Sequence, residues 1–298
     1  MSLLRKLILP GLVCGLVGIP ALAQQPVGMV LNATGKVTIV RAGNATQAQL
    51  GEVLVPGDRL VIESGTVEFL FCPLSSHWAA GGGTSLLIGE EGIDLESGPE
   101  PTRAPAGPCA LPRVRLGSES LERVGALRPR GKPPIEVYLG GTVSALRPDF
   151  SWESVGGAVV YRVRLSDEAG TVLWEEEVPE LSATYSGEPL EDGWYSWSVS
   201  AEKDGEVLAE QNTGIEIRRS PEPLEQLPRE PAELLVHAIQ LENEGYFSEA
   251  AAALRMLSAQ RPDDERLRRR LAWLYWKAGL LIAFNSAIAE LPDAPATP

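Results

Sequence analysis

The sequence predicts a multidomain β + α chain: a small all-β N-terminal domain, a β-sandwich in the middle, and an antiparallel helical repeat at the C-terminus. Three observations carry this reading. Residues 27–97 and 135–219 hold short runs of alternating apolar and polar residues, separated by Gly, Pro, Asn and Asp turns. Proline-rich stretches at 98–134 and 220–230 separate these two parts from each other and from the C-terminal residues. Residues 231–292 then switch to helical spacing, with a recurrence of 34 residues. The length of 298 residues fits two or three domains of ordinary size.

Residues 1–23 read as a secretion signal. Arg5 and Lys6 precede an apolar run from Leu7 to Ile19, and Ala21-Leu22-Ala23 supplies a small-x-small cleavage site. Val13 stands where a small residue would be needed ahead of a lipidated Cys14, so a lipoprotein is not expected. Cleavage near Ala23 removes two basic residues and no acid, taking the net charge from −14 to −16. Such acidity disfavours nucleic acid, whose binding rests on neutralising phosphates, and leaves at most peripheral association with a membrane. Cys72 and Cys109 are the cysteines that remain. In an exported chain they predict one disulfide across 37 positions, two free buried thiols being the alternative. The expected location is periplasmic or secreted.

In the first β region, Lys36–Arg41, Arg59–Ile62, Thr66–Phe71, Ser85–Ile88 and Ile93–Leu95 read as strands. Val67, Phe69 and Phe71 share one face. Gly51, Leu54 and the turn Pro56-Gly57-Asp58 lie between Gly35-Lys36-Val37 and Thr66-Val67-Glu68-Phe69. That order resembles the FecR-type domain, the periplasmic half of an iron-dicitrate sensor. The resemblance implies an exported β module that meets other proteins. The family's sensor members place a cytoplasmic region and a membrane helix ahead of this domain, where a signal peptide stands here.

Ser75, Ser76 and His77 read as a loop beside the disulfide. Adjacent side chains on an extended chain point opposite ways, so Ser76 and His77 do not form a nucleophile–base pair. Gly81-Gly82-Gly83-Thr84-Ser85 lacks the Lys of a phosphate loop and reads as a turn. Asn32-Ala33-Thr34 and Asn44-Ala45-Thr46 match a glycosylation pattern that is common by chance. The prolines from Pro99 to Pro134 mark a linker, its first part tied back to the first domain by Cys109. Val114–Leu116 is expected to add one edge strand.

Four of the seven tryptophans, Trp152, Trp174, Trp194 and Trp197, fall in the central part and locate its core. Ile135–Leu139, Asp149–Glu153, Val159–Leu165, Val172–Glu175, Thr184-Tyr185, Trp194–Ala201 and Glu206–Ala209 read as strands, with a hairpin at Asp204-Gly205. The sequence of Trp152, Ala158-Val159-Val160-Tyr161, Gly170, Trp174 and Leu190 through Trp197 is similar to the fibronectin type III module of bacterial envelope proteins. The resemblance implies an immunoglobulin-like β-sandwich with Trp152, Tyr161, Tyr195 and Trp197 in its core. Trp194 is in phase with serines and points toward solvent, making it a candidate partner contact.

Helices are expected from Glu233, up to Gln260, over Leu267–Ala278, and over Ile282–Leu291. Ala238 and Ala272, Leu241 and Tyr275, and Gly245 and Gly279 are each 34 apart. With Ala250, Leu254 and Pro262 this is similar to the tetratricopeptide repeat, with Phe284 at the position matching Ala250. Two copies are few for independent stability, so they are expected to lean on the sandwich, a sister chain or a partner. Arg266 and Arg268–Arg270 form a basic run, read either as a solvated helix face or as a groove for an acidic peptide. Arg266, Arg269 and Arg270 are the candidate contacts. His237 reads as a packed histidine, and 293–298 as a disordered tail.

No metal-ligand spacing, dinucleotide fingerprint, nucleophile elbow or paired catalytic carboxylates is present in the sequence. No catalytic residue, metal or cofactor is therefore expected. The sequence reads as a non-enzymatic exported scaffold of the bacterial cell envelope, meeting envelope proteins through its helices and sandwich. A FecR-type regulatory sensor and a peptidoglycan- or glycan-binding protein are the alternatives.

Overall fold

A computed structural model describes residues 25–106, 109, 111, 134–220 and 228–291. The expected signal at 1–23, the edge strand expected at Val114–Leu116 and the tail 293–298 lie outside these residues. The described chain is mixed β and α, with sheets in the N-terminal part and four helices after them.

The first part contains β1 (Gly28–Thr34), β2 (Val37–Arg41), β3 (Asn44–Gln47), β4 (Val53–Leu54), β5 (Arg59–Ile62), β6 (Thr66–Phe71), β7 (Ser76–Gly81), β8 (Thr84–Ile88), β9 (Ile93–Ser97) and β10 (Thr102–Pro105). They form two antiparallel sheets, ordered β10-β7-β6-β1-β4 and β3-β2-β5-β8-β9. Alternation places Val67, Phe69 and Phe71 on the inner face, packed with Ile39, Leu60 and Leu86. The Pro56-Gly57-Asp58 turn owes its acid to structure. The Asp58 carboxylate is buried, accepts the Val55 amide at 2.8 Å, and takes Arg41 Nε and Nη2 at 2.7 Å each. A buried carboxylate is tolerated when it is satisfied in this way. Arg41 Nη2 also donates to the Val53 carbonyl at 2.8 Å, so one guanidinium pins the turn to its neighbours.

Two expectations are corrected here. Ser76 and His77 belong to a strand, β7, lying between β10 and β6, with Phe71 opposite Ser76. Only the 3-10 turn Cys72–Leu74 and Ser75 remain outside it. The proline-rich segment also begins later than expected, since Thr102–Pro105 is already paired with β7. It is an edge strand with its proline last, a position that proline tolerates.

The central part contains β11 (Gly141–Val143), β12 (Asp149–Ser151), β13 (Val160–Asp167), β14 (Val172–Val178), β15 (Ser182–Thr184), β16 (Gly193–Lys203) and β17 (Glu206–Ile217). Five form a sheet ordered β11-β17-β16-β13-β14, in which only β11 runs parallel to its neighbour, and β12 pairs with β15. Tyr161, Val163 and Leu165 face the core beside Trp197, Val199 and Ala201. Phe150 of β12 sits 4.7 Å from Trp197 and 5.8 Å from Trp174, while Trp152 lies 5.5 Å from Tyr161. These rings join the two sheets through one apolar layer. The Asp204-Gly205 hairpin has positive φ at both residues, which a two-residue turn between twisted strands requires. Ile135, Val137 and Leu139 do point inward, but the expected strand reduces to one bridge, Val137 to Trp152. Tyr195 is at the periphery, its hydroxyl donating to the Glu191 carbonyl at 3.1 Å.

The helices are α1 (Pro231–Glu244), α2 (Phe247–Gln260), α3 (Glu265–Lys277) and α4 (Leu281–Ala289). Pro231 opens α1 at a position where its missing amide costs no hydrogen bond. Asp264 caps α3, its carboxylate accepting the Arg266 amide at 3.2 Å. Gly245 and Gly279 take left-handed backbone just after α1 and α3, which releases the chain into a short turn. Ala238 and Ala272 are both buried, as are Ala250 and Phe284.

Candidate functional site

The disulfide joins Cys72, just past β6, to Cys109, with Cα atoms 5.4 Å apart. Ser75 takes left-handed backbone and its carbonyl accepts the Ala106 amide at 2.9 Å, so β10 is anchored beside the bond. Ser76 and His77 stay apart. Ser76 Oγ is buried and accepts Trp78 Nε1 at 2.8 Å, whereas His77 Nε2 lies 3.4 Å from Glu68 on the neighbouring strand. His237 lies buried in α1, and burial pushes its pKa down, favouring neutral imidazole. Among the described residues no group of three His, Cys, Asp or Glu side chains is placed to hold a metal ion.

Arg266, Arg269 and Arg270, the candidate contacts in the basic run on α3, each pair with a carboxylate of this chain. Arg270 is only 1% exposed and forms a two-point ion pair with Glu242 of α1, with Nε to Oε2 at 3.0 Å and Nη2 to Oε1. Its guanidinium lies 4.4 Å from the centre of the Trp273 ring. Arg266 reaches the first β part, donating to the Leu50 carbonyl at 3.0 Å and pairing with Glu52 at 3.4 Å. Arg269 pairs with Glu265 one turn back at 2.6 Å. Trp194 is on another element, β16, so the structure does not bring the predicted contacts together.

The helices meet both β parts. The Glu249 carboxylate of α2 accepts the Ser144 amide at 3.0 Å, the Ser144 hydroxyl at 3.0 Å and the Ala145 amide at 3.2 Å, all on the one oxygen Oε1. Burial raises the Glu249 pKa, while these bonds oppose the rise. Ser286 of α4 donates to Glu136 at 2.5 Å, and the Tyr138 ring packs 5.9 Å from the Tyr275 ring and 4.1 Å from the Arg255 guanidinium. Burial raises the Tyr275 phenol to about 12. Asn243 Nδ2 donates to the Leu111 carbonyl at 3.2 Å, two residues past the disulfide. Between Gln49-Leu50 and the α2–α3 connection is an open cleft of about 670 Å³, lined mainly by polar side chains that include Arg266 and Asp264.

Two exposed aromatic surfaces remain. On the helices, Trp276 is 48% exposed, and Lys277 Nζ lies 5.2 Å from the Phe247 ring, 5.7 Å from Trp273 and 5.9 Å from Trp276. Trp273 meets Phe247 edge-on at 6.1 Å. On the five-stranded sheet, Trp194 is 56% exposed and shares the outer face of β16 with Ser196, Ser198 and Ser200. The helical surface was missed in the sequence because Trp273 and Trp276, three apart, read equally well as core.

No protein-family model matches the chain, and no curated protein matches it. Among solved structures, CopC from Methylosinus trichosporium OB3b is similar at 18% identity and a TM-score of 0.22, over 28% of this chain and 88% of that one. An apo β-glucuronidase from Ruminococcus gnavus is similar at 23% identity and a TM-score of 0.20. That match covers 29% of this chain and 15% of the glucuronidase.

Proposed function

We propose that this chain is an exported, non-enzymatic binding protein of the bacterial cell envelope, a scaffold that holds other envelope proteins. In this reading residues 1–23 direct export. A FecR-type module and a fibronectin type III-like sandwich then frame a pair of tetratricopeptide-like repeats. The Cys72–Cys109 disulfide is compatible with an oxidising compartment. No helix among the described residues is long and apolar enough to cross a membrane.

The observation that carries the reading is the Phe247–Trp273–Trp276 surface. Trp276 is half open to solvent, Phe247 and Trp273 are partly buried, and the Lys277 ammonium lies within 5.9 Å of all three rings. Aromatic side chains grouped with a cation are the composition of interface hot spots, where they anchor a partner's apolar and acidic groups. The test offers solubilised envelope proteins to the immobilised mature chain and to a Trp276→Ala/Lys277→Ala variant. A discrete set retained by the former and lost from the variant is the expected result. Equal retention on both would contradict it.

A further inference from the structure

We infer that the outer face of the five-stranded sheet around Trp194 is a glycan-binding site, taking an uncharged pyranose chain. The site is separate from the aromatic surface on the helices and stands or falls independently of protein docking there.

Gly214 is the first observation. It sits within β17, opposite Ser196 and diagonal to Trp194, whose direct partner is Glu216. Its backbone is not left-handed. A Cβ built there would meet nothing nearer than the Tyr195 carbonyl oxygen, at 3.9 Å. Neither conformation nor packing therefore calls for glycine. A glycine inside a strand weakens it, and it often marks a place where another molecule approaches the backbone. Here its effect is to leave bare sheet next to an exposed indole.

The chemistry of the face is the second. Ser196 and Ser198 continue from Trp194 along β16, and Asn212, opposite Ser198, is exposed. The Glu216 carboxylate accepts the Thr142 hydroxyl at 3.0 Å through Oε2. A flat apolar ring beside hydroxyl, amide and carboxylate groups matches a pyranose, which offers a C–H face to stack and hydroxyls to bond.

Charge is the third. The arginines on this face are already paired within the sheet. Arg162 bonds Glu175, Glu177 and Glu202 at 2.6–3.2 Å, and Arg164 bonds Glu175 at 2.9 Å. These two guanidinium groups are outnumbered by the carboxylates of Glu175, Glu177, Glu202 and Glu216, so the face repels an anionic polymer, and its serine, asparagine and indole groups suit a neutral ligand. The same pairing argues against an acidic protein as the occupant.

The full mature chain is titrated with chitohexaose, a soluble neutral pyranose oligomer, following tryptophan fluorescence and heat. Co-sedimentation with insoluble chitin, likewise uncharged, runs in parallel. Saturable binding is expected. Trp194→Ala should weaken it by about tenfold or more, as truncating a central stacking tryptophan does. Gly214→Val fills the bare floor and should also abolish binding while the melting temperature holds or rises. Absence of saturable binding by the wild-type chain to both probes would overturn the proposal. So would unchanged affinity in Trp194→Ala, or normal binding by a folded Gly214→Val chain. If Trp194→Ala loses an envelope protein while the wild-type chain ignores both sugars, the face is a protein interface and the glycan assignment is wrong.

Discussion

Replacing Arg270 by alanine discriminates most sharply between an arginine that meets a partner and one that holds the helices together. Arg270 is on α3 and Glu242 on α1, so their ion pair spans the two halves of the helical recurrence. The side chains are 1% and 6% exposed. Truncation leaves the Glu242 carboxylate buried without its guanidinium and opens space beside Trp273. Breaking one side of a buried pair costs about 3–5 kcal/mol, a large share of the roughly 5–15 kcal/mol that stabilises a domain. Removing both charges together, as in Arg270→Met with Glu242→Leu, should restore most of this loss, because apolar replacements avoid desolvating either ion. Urea unfolding followed at the helical circular dichroism band gives the change from the shift in midpoint at constant slope. An arginine pointing at an external partner would give a change within about 0.5 kcal/mol. A loss under about 1 kcal/mol for Arg270→Ala, or a double variant no better than the single one, would refute the assignment of Arg270 to the interior.

The contacts between parts have further consequences. Glu249→Ala leaves the Ser144 and Ala145 amides without their carboxylate and should cost about 1–3 kcal/mol, whereas Glu249→Gln keeps an acceptor oxygen and should cost little. Burial raises the Glu249 pKa above its ordinary 4.5, so the native state binds this proton more tightly than the unfolded chain. Its contribution is therefore full below pH 4.5 and is lost as pH rises through the raised value. Followed against pH, the melting temperature of the wild-type chain minus that of Glu249→Gln should fall as pH rises through this range. Cys72→Ser with Cys109→Ser removes a 37-residue loop closure and should lower stability by about 3–4 kcal/mol in non-reducing buffer. Equal stability of this double variant and the oxidised parent would contradict a bond formed in the native protein.

The parts legible in the sequence were those where one face of an element is buried and its residues follow a single period. Val67, Phe69 and Phe71 alternate cleanly, as do Tyr161, Val163 and Leu165, and all six are core. Trp194 and Trp197, three apart on a strand, fall on opposite faces for the same reason. What escaped was β1, whose alternation breaks at the irregularity between Val30 and Asn32, and structure that is polar or proline-bearing. β3 and β10 are exposed edge strands with no apolar face to announce them, and β7 opens with Ser-His, so its apolar face is only Trp78 and Ala80. β17 was expected only as far as Ala209, because Asn212 and Gly214 on its outer face interrupt the pattern.

Arg270 could have been read differently. It stands three after Leu267 and four before Leu274, on the buried stripe of α3, and Glu242 stands four after Ala238 on that of α1. Complementary charges on two apolar stripes signal an internal pair. The run of neighbouring arginines obscured that spacing. Glu249 left no such mark, since its hydrogen-bond partners lie 104 and 105 residues away.

The proposal of an exported scaffold is tested most directly by placing a photo-crosslinking residue at position 276 of the full chain in living cells. The same residue at position 95, exposed on β9, serves as an internal control that leaves the interior intact. A discrete, higher-mass adduct is expected from position 276 in the envelope fraction, and none from position 95. An unmodified chain at 276, an equal yield at 95, or a protein confined to the cytosol would contradict the proposal.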